Sequence, residues 1–384
     1  MDAKGVIKNI EDLLPTIRSR REDIEQARRL PRDLVDELVK TGVFTLNVPK
    51  DLGGQQAAPL DGMRAVELVS SADGSTGWCT MIAAGNNIAS GFMIEAGAKE
   101  VFADPTAPGA GIAAPIGAAV RVDGGLQVTG RWPFASGITH CDWIFAGAIV
   151  MEDGKPVMTP HGPEIVHVYM PVAEVEIHDT WYVSGLCGTG SNDFSVKDAF
   201  IPEQRIFNLF DPSGHRPDPH YQLPAVSGFV SGLACVSLGI ARAALDEVIE
   251  LAPTKTPAMS FAVMADKPVA QIEIARAEAA LGSARSFLFS SMEDLWRTAS
   301  AGEPVSKRQN VMVRIAALNA VETGNTVAGM ANTFGGSSSI YSKSTLQRHA
   351  RDAEAVTHHF TVTPHVWEDA GRVLLGRDPL APIF

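Results

Sequence analysis

Two stretches carry the reading of this chain: Gly130-Arg131-Trp132-Pro133-Phe134-Ala135-Ser136-Gly137 and, farther on, Gly185-Leu186-Cys187-Gly188-Thr189-Gly190-Ser191. Both combine glycines, which allow close backbone approach, with small hydroxyl side chains that donate and accept hydrogen bonds. Both lie in a segment, 106–218, with the texture of strands. Runs rich in β-branched and aromatic residues at 118–122, 126–129, 143–150 and 165–170 are punctuated by Gly, Pro and Asp turns such as Asp123-Gly124-Gly125. No helix-length pattern separates the runs, so the segment predicts an antiparallel β unit.

On either side the pattern is helical. Before the strands, in 1–105, Pro31 opens a helix whose Leu34, Val35, Leu38 and Val39 share a face, and Gly42 stops it. A punctuated connector follows, Val43 to Gly54, and then helices are expected at 60–72 and 76–95. A Pro- and His-rich bridge at 211–224 leads out of the β segment into 219–384, where helices are expected at 226–251, 268–300, 304–333 and 344–360. Small residues recurring through Ser227-Gly228, Ser231-Gly232 and Gly239 allow close helix packing, and the four lengths suit a bundle. The fold class is α+β, in the order helices, sheet, four-helix bundle.

Composition narrows the function. The 384 residues are 45% hydrophobic with a formal net charge of −12, which supports a sizeable core and disfavours nucleic acid or anionic membrane as partner. The start lacks a signal core and no apolar window reaches a membrane span, so a cytoplasmic protein is expected. Cysteines 79, 141, 187 and 235 form no Cys-x-x-Cys pair and read as buried free thiols. Gly188-Thr189-Gly190 lacks the third glycine of a dinucleotide fingerprint, and no phosphate loop or nucleophile elbow occurs. His358, His359 and His365 cluster, but adjacent histidines on a helix diverge too far to share an ion, so no metal site is expected. On residue chemistry alone Ser136 is a turn serine before a glycine.

The order of motifs adds more. Gly-x-Trp-Pro-Phe-Ala-Ser-Gly at 130–137, Trp181 followed by Gly-Leu-x-Gly-Thr-Gly-Ser at 185–191, and Leu346-Gln347-Arg348-x-x-Arg351-Asp352 together resemble the acyl-CoA dehydrogenase fold. The resemblance is to its branch of two-component flavin-dependent monooxygenases, such as p-hydroxyphenylacetate hydroxylase oxygenase components and dibenzothiophene monooxygenase. It spans nearly the whole chain and implies an N-terminal helical domain (1–105), a central antiparallel β-barrel-like domain (106–218) and a C-terminal four-helix bundle (219–384).

What the resemblance implies for the site is specific. Dehydrogenases of the fold carry a threonine that bonds the flavin N5 edge, and Ser136 takes that place, with Trp132, Phe134, Thr189, Gly190 and Ser191 around the cofactor. Phe334, Gly335 and Gly336 match a bundle loop that reaches a neighbouring subunit's flavin, which implies a homotetramer. The dehydrogenase base stands eight residues after the Arg-Asp pair; counting from Asp352 that position is Phe360, which accepts no proton. In the monooxygenases a histidine of this region lies beside substrate, and His359 fits, with His358 in reserve and Trp78 a further substrate contact. The implied chemistry is reaction of reduced flavin with O2 to a C4a-hydroperoxyflavin, which oxygenates a small aromatic or heteroaromatic compound, His359 serving as base and the apolar Trp78, Trp132 and Phe134 excluding water. Since no FAD-pyrophosphate element is evident between Leu251 and Pro268, reduced FMN is favoured over FAD, and a separate NAD(P)H flavin reductase is expected. Pocket walls are expected from the N-terminal helices and 211–224. Two alternatives stand beside this: an acyl-CoA dehydrogenase with a displaced base, Glu247 or Glu250, and a non-catalytic flavin-fold binding protein.

Overall fold

The computed structural model describes residues 2–160, 162–210 and 216–381. The chain opens with helices α1 (Ala3–Ser19), α2 (Arg21–Ala27), α3 (Arg32–Thr41), α4 (Pro59–Ala72), α5 (Gly74–Asn86) and α6 (Glu95–Val101). Helix α3 follows its sequence signals: Pro31 precedes its first residue, Leu34, Val35 and Leu38 are buried, and Gly42 ends it at φ 82°. The helix expected over 76–95 is shorter. It gives way after Asn86 to a 3₁₀ turn, Asn87–Gly91, where the Asn87 side chain donates to the Phe44 carbonyl and Ser90 Oγ donates to the Asn87 carbonyl. Such side chains offer the backbone alternative partners and break the helical ladder.

The strands are β1 (Ala110–Val122), β2 (Gly125–Ala135), β3 (Trp143–Glu152), β4 (Lys155–Pro156), β5 (Met158–Thr159), β6 (Gly162–Pro163), β7 (Ile165–Pro171), β8 (Glu176–His178), β9 (Asn192–Pro202) and β10 (Ile206–Phe207). The main sheet runs β10-β7-β3-β1-β2-β9-β8, with β4 beside β3 and a separate β5-β6 pair. The expected Asp123-Gly124 turn joins β1 to β2, with Gly124 at φ 77°. The expectation of a wholly antiparallel sheet is corrected at one pair: β1 and β3 are parallel, from Ala110 opposite Ile144 to Val120 opposite Met151. Strand β2 is the reason, because the hairpin itself returns the chain to the start of β1 and no crossover helix is needed. Among the described residues no ladder joins β10 to β8, so the sheet is open.

The last third consists of α7 (Ala225–Leu251), α8 (Pro268–Ser300), α9 (Lys307–Gly335), α10 (Thr345–Thr357) and α11 (Pro364–Leu374). Helix α7 is the axis, with Leu233, Leu238, Ile240 and Leu245 sealed against α4, α5, α9 and α10. Among the described residues it alone is long and apolar enough to cross a membrane, contrary to the sequence expectation, but 72% of its apolar window is buried inside the protein, as for a bundle core. Glu25 of α2 accepts from Arg348 and Arg351 of α10, tying the first helices to the bundle. Phe92, Phe102 and Tyr221 pack with Phe145, Tyr169 and Phe207, tying them to the sheet. These junctions leave α5, the end of β2, the β8–β9 loop, the start of α7 and the turn after α10 facing one another.

Candidate active site

The geometry begins at Pro133. A proline has no N–H for the ladder, and the pairing of β2 with β9 skips from Trp132 opposite Phe194 to Ala135 opposite Asn192. Phe134, in the gap, takes φ 65°, a region that bulky side chains occupy at a cost of about 1–3 kcal/mol and that clusters at functional sites. The twist turns its ring outward, where it is 66% exposed, with Trp181 edge-on at 6.3 Å. Ser136, two residues later, is turned inward and is 5% exposed.

Ser136 meets α5 and the second glycine-rich loop. Asp73 caps α5, its Oδ1 accepting from both Thr76 N and Thr76 Oγ1 at 2.7 Å, and this sets Trp78 over the site. Gly77 lets α5 close on α4, since a Cβ there would stand 2.0 Å from Ser70 Oγ. Trp78 Nε1–H donates to Ser136 Oγ at 2.9 Å. Ser136 Oγ lies 2.7 Å from Ser191 Oγ, which lies 2.7 Å from Thr189 Oγ1, which donates to the Leu186 carbonyl at 2.9 Å. The two opening stretches are thus joined side chain to side chain, and also by Gly137 N–H donating to the Thr189 carbonyl at 3.0 Å. The loop's turn is held by Leu186 at φ 52° and by buried Asp352 of α10, whose Oδ1 accepts from Leu186 N at 2.6 Å. Burial, and next the neighbouring Asp73, push the Asp352 carboxyl up to about 7.

His359 approaches from the bundle. The helix expected over 344–360 ends at Thr357, and this parts the two histidines: His358 caps it and lies exposed beside Glu354, while His359 enters an extended conformation and turns inward. Its ring is 5.9 Å from Trp78, 5.3 Å from Phe229 and 4.8 Å from Phe360. Burial lowers its pKa to about 4, so the ring is neutral near pH 7. Thr361 N–H and Thr361 Oγ1 both sit on Nδ1, at 3.3 and 2.8 Å. A backbone N–H can only donate, so Nδ1 accepts and the ring proton is on Nε2. The expected base is therefore, in this tautomer, a donor.

Comparison with known proteins identifies the family. The model of the acyl-CoA dehydrogenase N-terminal domain matches residues 12–103 and that of the C-terminal domain matches residues 231–364. Indole-3-acetate monooxygenase of Pseudomonas putida is 33% identical over 375 residues, covering 96% of this chain and 94% of that protein. The crystal structure of the HsaA monooxygenase from M. tuberculosis superposes with a TM-score of 0.92 at 30% identity over 100% of both chains. XiaF from Streptomyces sp., in complex with FADH2 and glycerol, gives a TM-score of 0.91 at 26% identity, over 99% of this chain and 97% of that one. The chain belongs to the flavin-dependent monooxygenases of the acyl-CoA dehydrogenase family.

The oxygenase has features that fit a flavin: a buried row of hydroxyls that begins two residues after Phe134, whose ring is 66% exposed and offers a flat apolar face to a planar ring. Other expected residues fall elsewhere. Trp132 is corrected: it is 0% exposed inside the sheet core, stacked on Phe194, with Nε1–H donated to the Gly147 carbonyl, and it has no free surface to offer a cofactor. Phe334, Gly335 and Gly336 end α9, where Phe334 packs on Ala252, Met264 and Ala270. Phe229 and Leu251 mark the two ends of α7, about 33 Å apart along its axis, so this loop is remote from His359 of its own chain. Glu247 lies about 27 Å along α7 from Phe229; burial opposes its charge, but His349 and Thr345 hold its carboxyl low, and Glu250 is exposed. Neither displaced base lies at the end of α7 that meets His359. Of the stretch 211–224, residues 211–215 lie outside the described residues. Among the described residues no cluster of metal-ligating side chains occurs. Sequence reasoning did not find Phe229, Asp352, Thr361 or Trp181 as parts of the site. Trp181 was legible as a motif member, whereas nothing local marks Phe229.

Proposed function

We propose that this oxygenase takes up reduced flavin from a separate flavin reductase and, with O2, hydroxylates a small aromatic or heteroaromatic compound bearing an OH or NH group. One observation carries the proposal: Trp78 donates to Ser136 through its ring nitrogen and lies 5.9 Å from His359, so a hydroxyl and an imidazole from opposite ends of the fold flank one indole. When bound, reduced flavin supplies electrons that make an oxygen atom of O2 electrophilic. Ser136 fixes the ring edge. Trp78, itself buried between Ser136 and His359, and Phe229 on the His359 ring keep water from that region. His359 Nε2–H donates to the substrate's oxygen and favours its ionised, electron-rich form. Indole-3-acetate, in the name of the P. putida relative, is of the expected chemical class.

Between cofactors, the missing pyrophosphate element speaks for FMN and the FADH2 complex of XiaF for FAD, so FAD is the form to try first with FMN beside it. A homotetramer belongs to the same reading, because Phe334-Gly335-Gly336 reaches a flavin only from another subunit. So does a cytoplasmic location, since oxygenase and reductase must share a pool of free reduced flavin.

The test supplies chemically reduced FAD or FMN and air with indoles, phenols and dibenzothiophene, and measures hydroxylated product against hydrogen peroxide. At least one compound should convert most of the oxygen consumed into product. Conversion of an acyl-CoA to its enoyl form without oxygen would overturn the proposal, as would peroxide as the sole product with every compound.

A further inference from the structure

The hydroxyl row linking β2 to the β8–β9 loop has a direction that its distances conceal until hydrogens are counted. Leu186 O can only accept, so Thr189 Oγ1 donates its one hydrogen there, at 2.9 Å. Thr189 Oγ1 must then accept from Ser191 Oγ, 2.7 Å away. With its hydrogen so committed, Ser191 Oγ must accept from Ser136 Oγ, also 2.7 Å away. Trp78 Nε1–H already donates to Ser136 Oγ at 2.9 Å. The row therefore runs Trp78 to Ser136 to Ser191 to Thr189 to Leu186, every hydrogen pointing one way. What remains to Ser136 for a ligand is a lone pair.

We infer that Ser191 and Thr189 are positioning residues that hold Ser136 as an acceptor and so make the site select reduced flavin over oxidised flavin. The inference rests on the flavin reading above. N5 of reduced flavin carries a hydrogen and donates to that lone pair; N5 of oxidised flavin is itself an acceptor and faces a second acceptor. Reversing the row to serve oxidised flavin leaves Thr189 Oγ1 and Leu186 O at 2.9 Å with no hydrogen between them. The carbonyl does not move away easily, because Trp181 Nε1–H and Thr189 N–H also donate to it, each at 3.1 Å. Ser136, Ser191 and Thr189 are all buried, so water does not readily supply the missing hydrogen.

The test is anaerobic equilibrium dialysis of oxidised and reduced FAD and FMN against the full-length protein, reading the ratio of the two dissociation constants. The unaltered protein should favour the reduced form. Ser191→Ala frees the Ser136 hydrogen, and Thr189→Val, which does not touch Ser136, lets the row turn; each should narrow the ratio by about tenfold, mainly by tighter binding of oxidised flavin. Thr189→Ser keeps the hydroxyl and should keep the ratio. Equal weakening of both forms by Ser191→Ala and Thr189→Val overturns the inference while leaving the flavin reading intact. Failure of the unaltered protein to bind either form overturns both.

Discussion

Phe134 and His359 show how single residues shape the candidate site. The first is displaced from the sheet by the proline before it; the second is separated from His358 because the helix ends at Thr357. Burial lowers the His359 pKa to about 4, well below its ordinary value, so its ionisation should play no part in activity between pH 5.5 and 8. The pH profile of product yield should be unchanged in shape when His359 is replaced by Gln, which retains a donor. His359→Ala should lower product on the order of tenfold to a hundredfold and raise peroxide in its place. A step near pH 6.5 in the native enzyme that disappears in His359→Gln would show that the histidine titrates during the reaction.

At the scale of elements, the site depends on where α5 begins. Asp73 accepts two hydrogen bonds from Thr76 and shares a buried corner with Asp352, which in turn holds the Leu186 turn. Asp73→Ala should destabilise the protein by about 1–2 kcal/mol in urea unfolding, the ordinary cost of a lost cap, and should loosen Trp78 enough to increase peroxide release. Asp73→Asn keeps the cap and removes a charge beside Asp352. It should cost less than half as much, and a loss equal to that of the alanine variant would show that charge, not capping, is what α5 needs.

For the whole molecule the buried histidines set the response to acid. Burial lowers His140, His167 and His359 each to about 4, so the unfolded chain, whose histidines protonate near pH 6.5, binds more protons throughout that window. Their contribution is complete above pH 6.5 and is lost as pH falls toward 4. Asp352, raised to about 7, works the other way: the folded state holds its proton between about pH 4 and 7, which favours folding at the acid end. The histidines outnumber it, and these four groups together should reduce stability by roughly 2–3 kcal/mol per pH unit within the window. Urea midpoints at pH 7.5, 6 and 5 measure this; a flat or rising midpoint toward pH 5 would contradict it.

The sequence by itself determined the order of helices, sheet and helices, the Pro31 start and Gly42 stop of α3, the Asp123-Gly124 hairpin and the spans of the long bundle helices, because periodicity, glycine and proline act over a few residues. Through the family resemblance it also marked Ser136 and Ser191 as members of the two glycine-rich motifs, and His359 by its spacing from Asp352. Only the tertiary structure decided that Trp132 faces the sheet core while Phe134 faces out, that β1 and β3 run parallel, that His359 presents a donor, that Phe229 packs on His359 and that Asp352 holds the Leu186 turn. Each of these depends on contacts between residues far apart in the chain. The direction of a hydrogen bond or the side of a strand that is buried is fixed by the partner across the gap, and no local pattern names that partner.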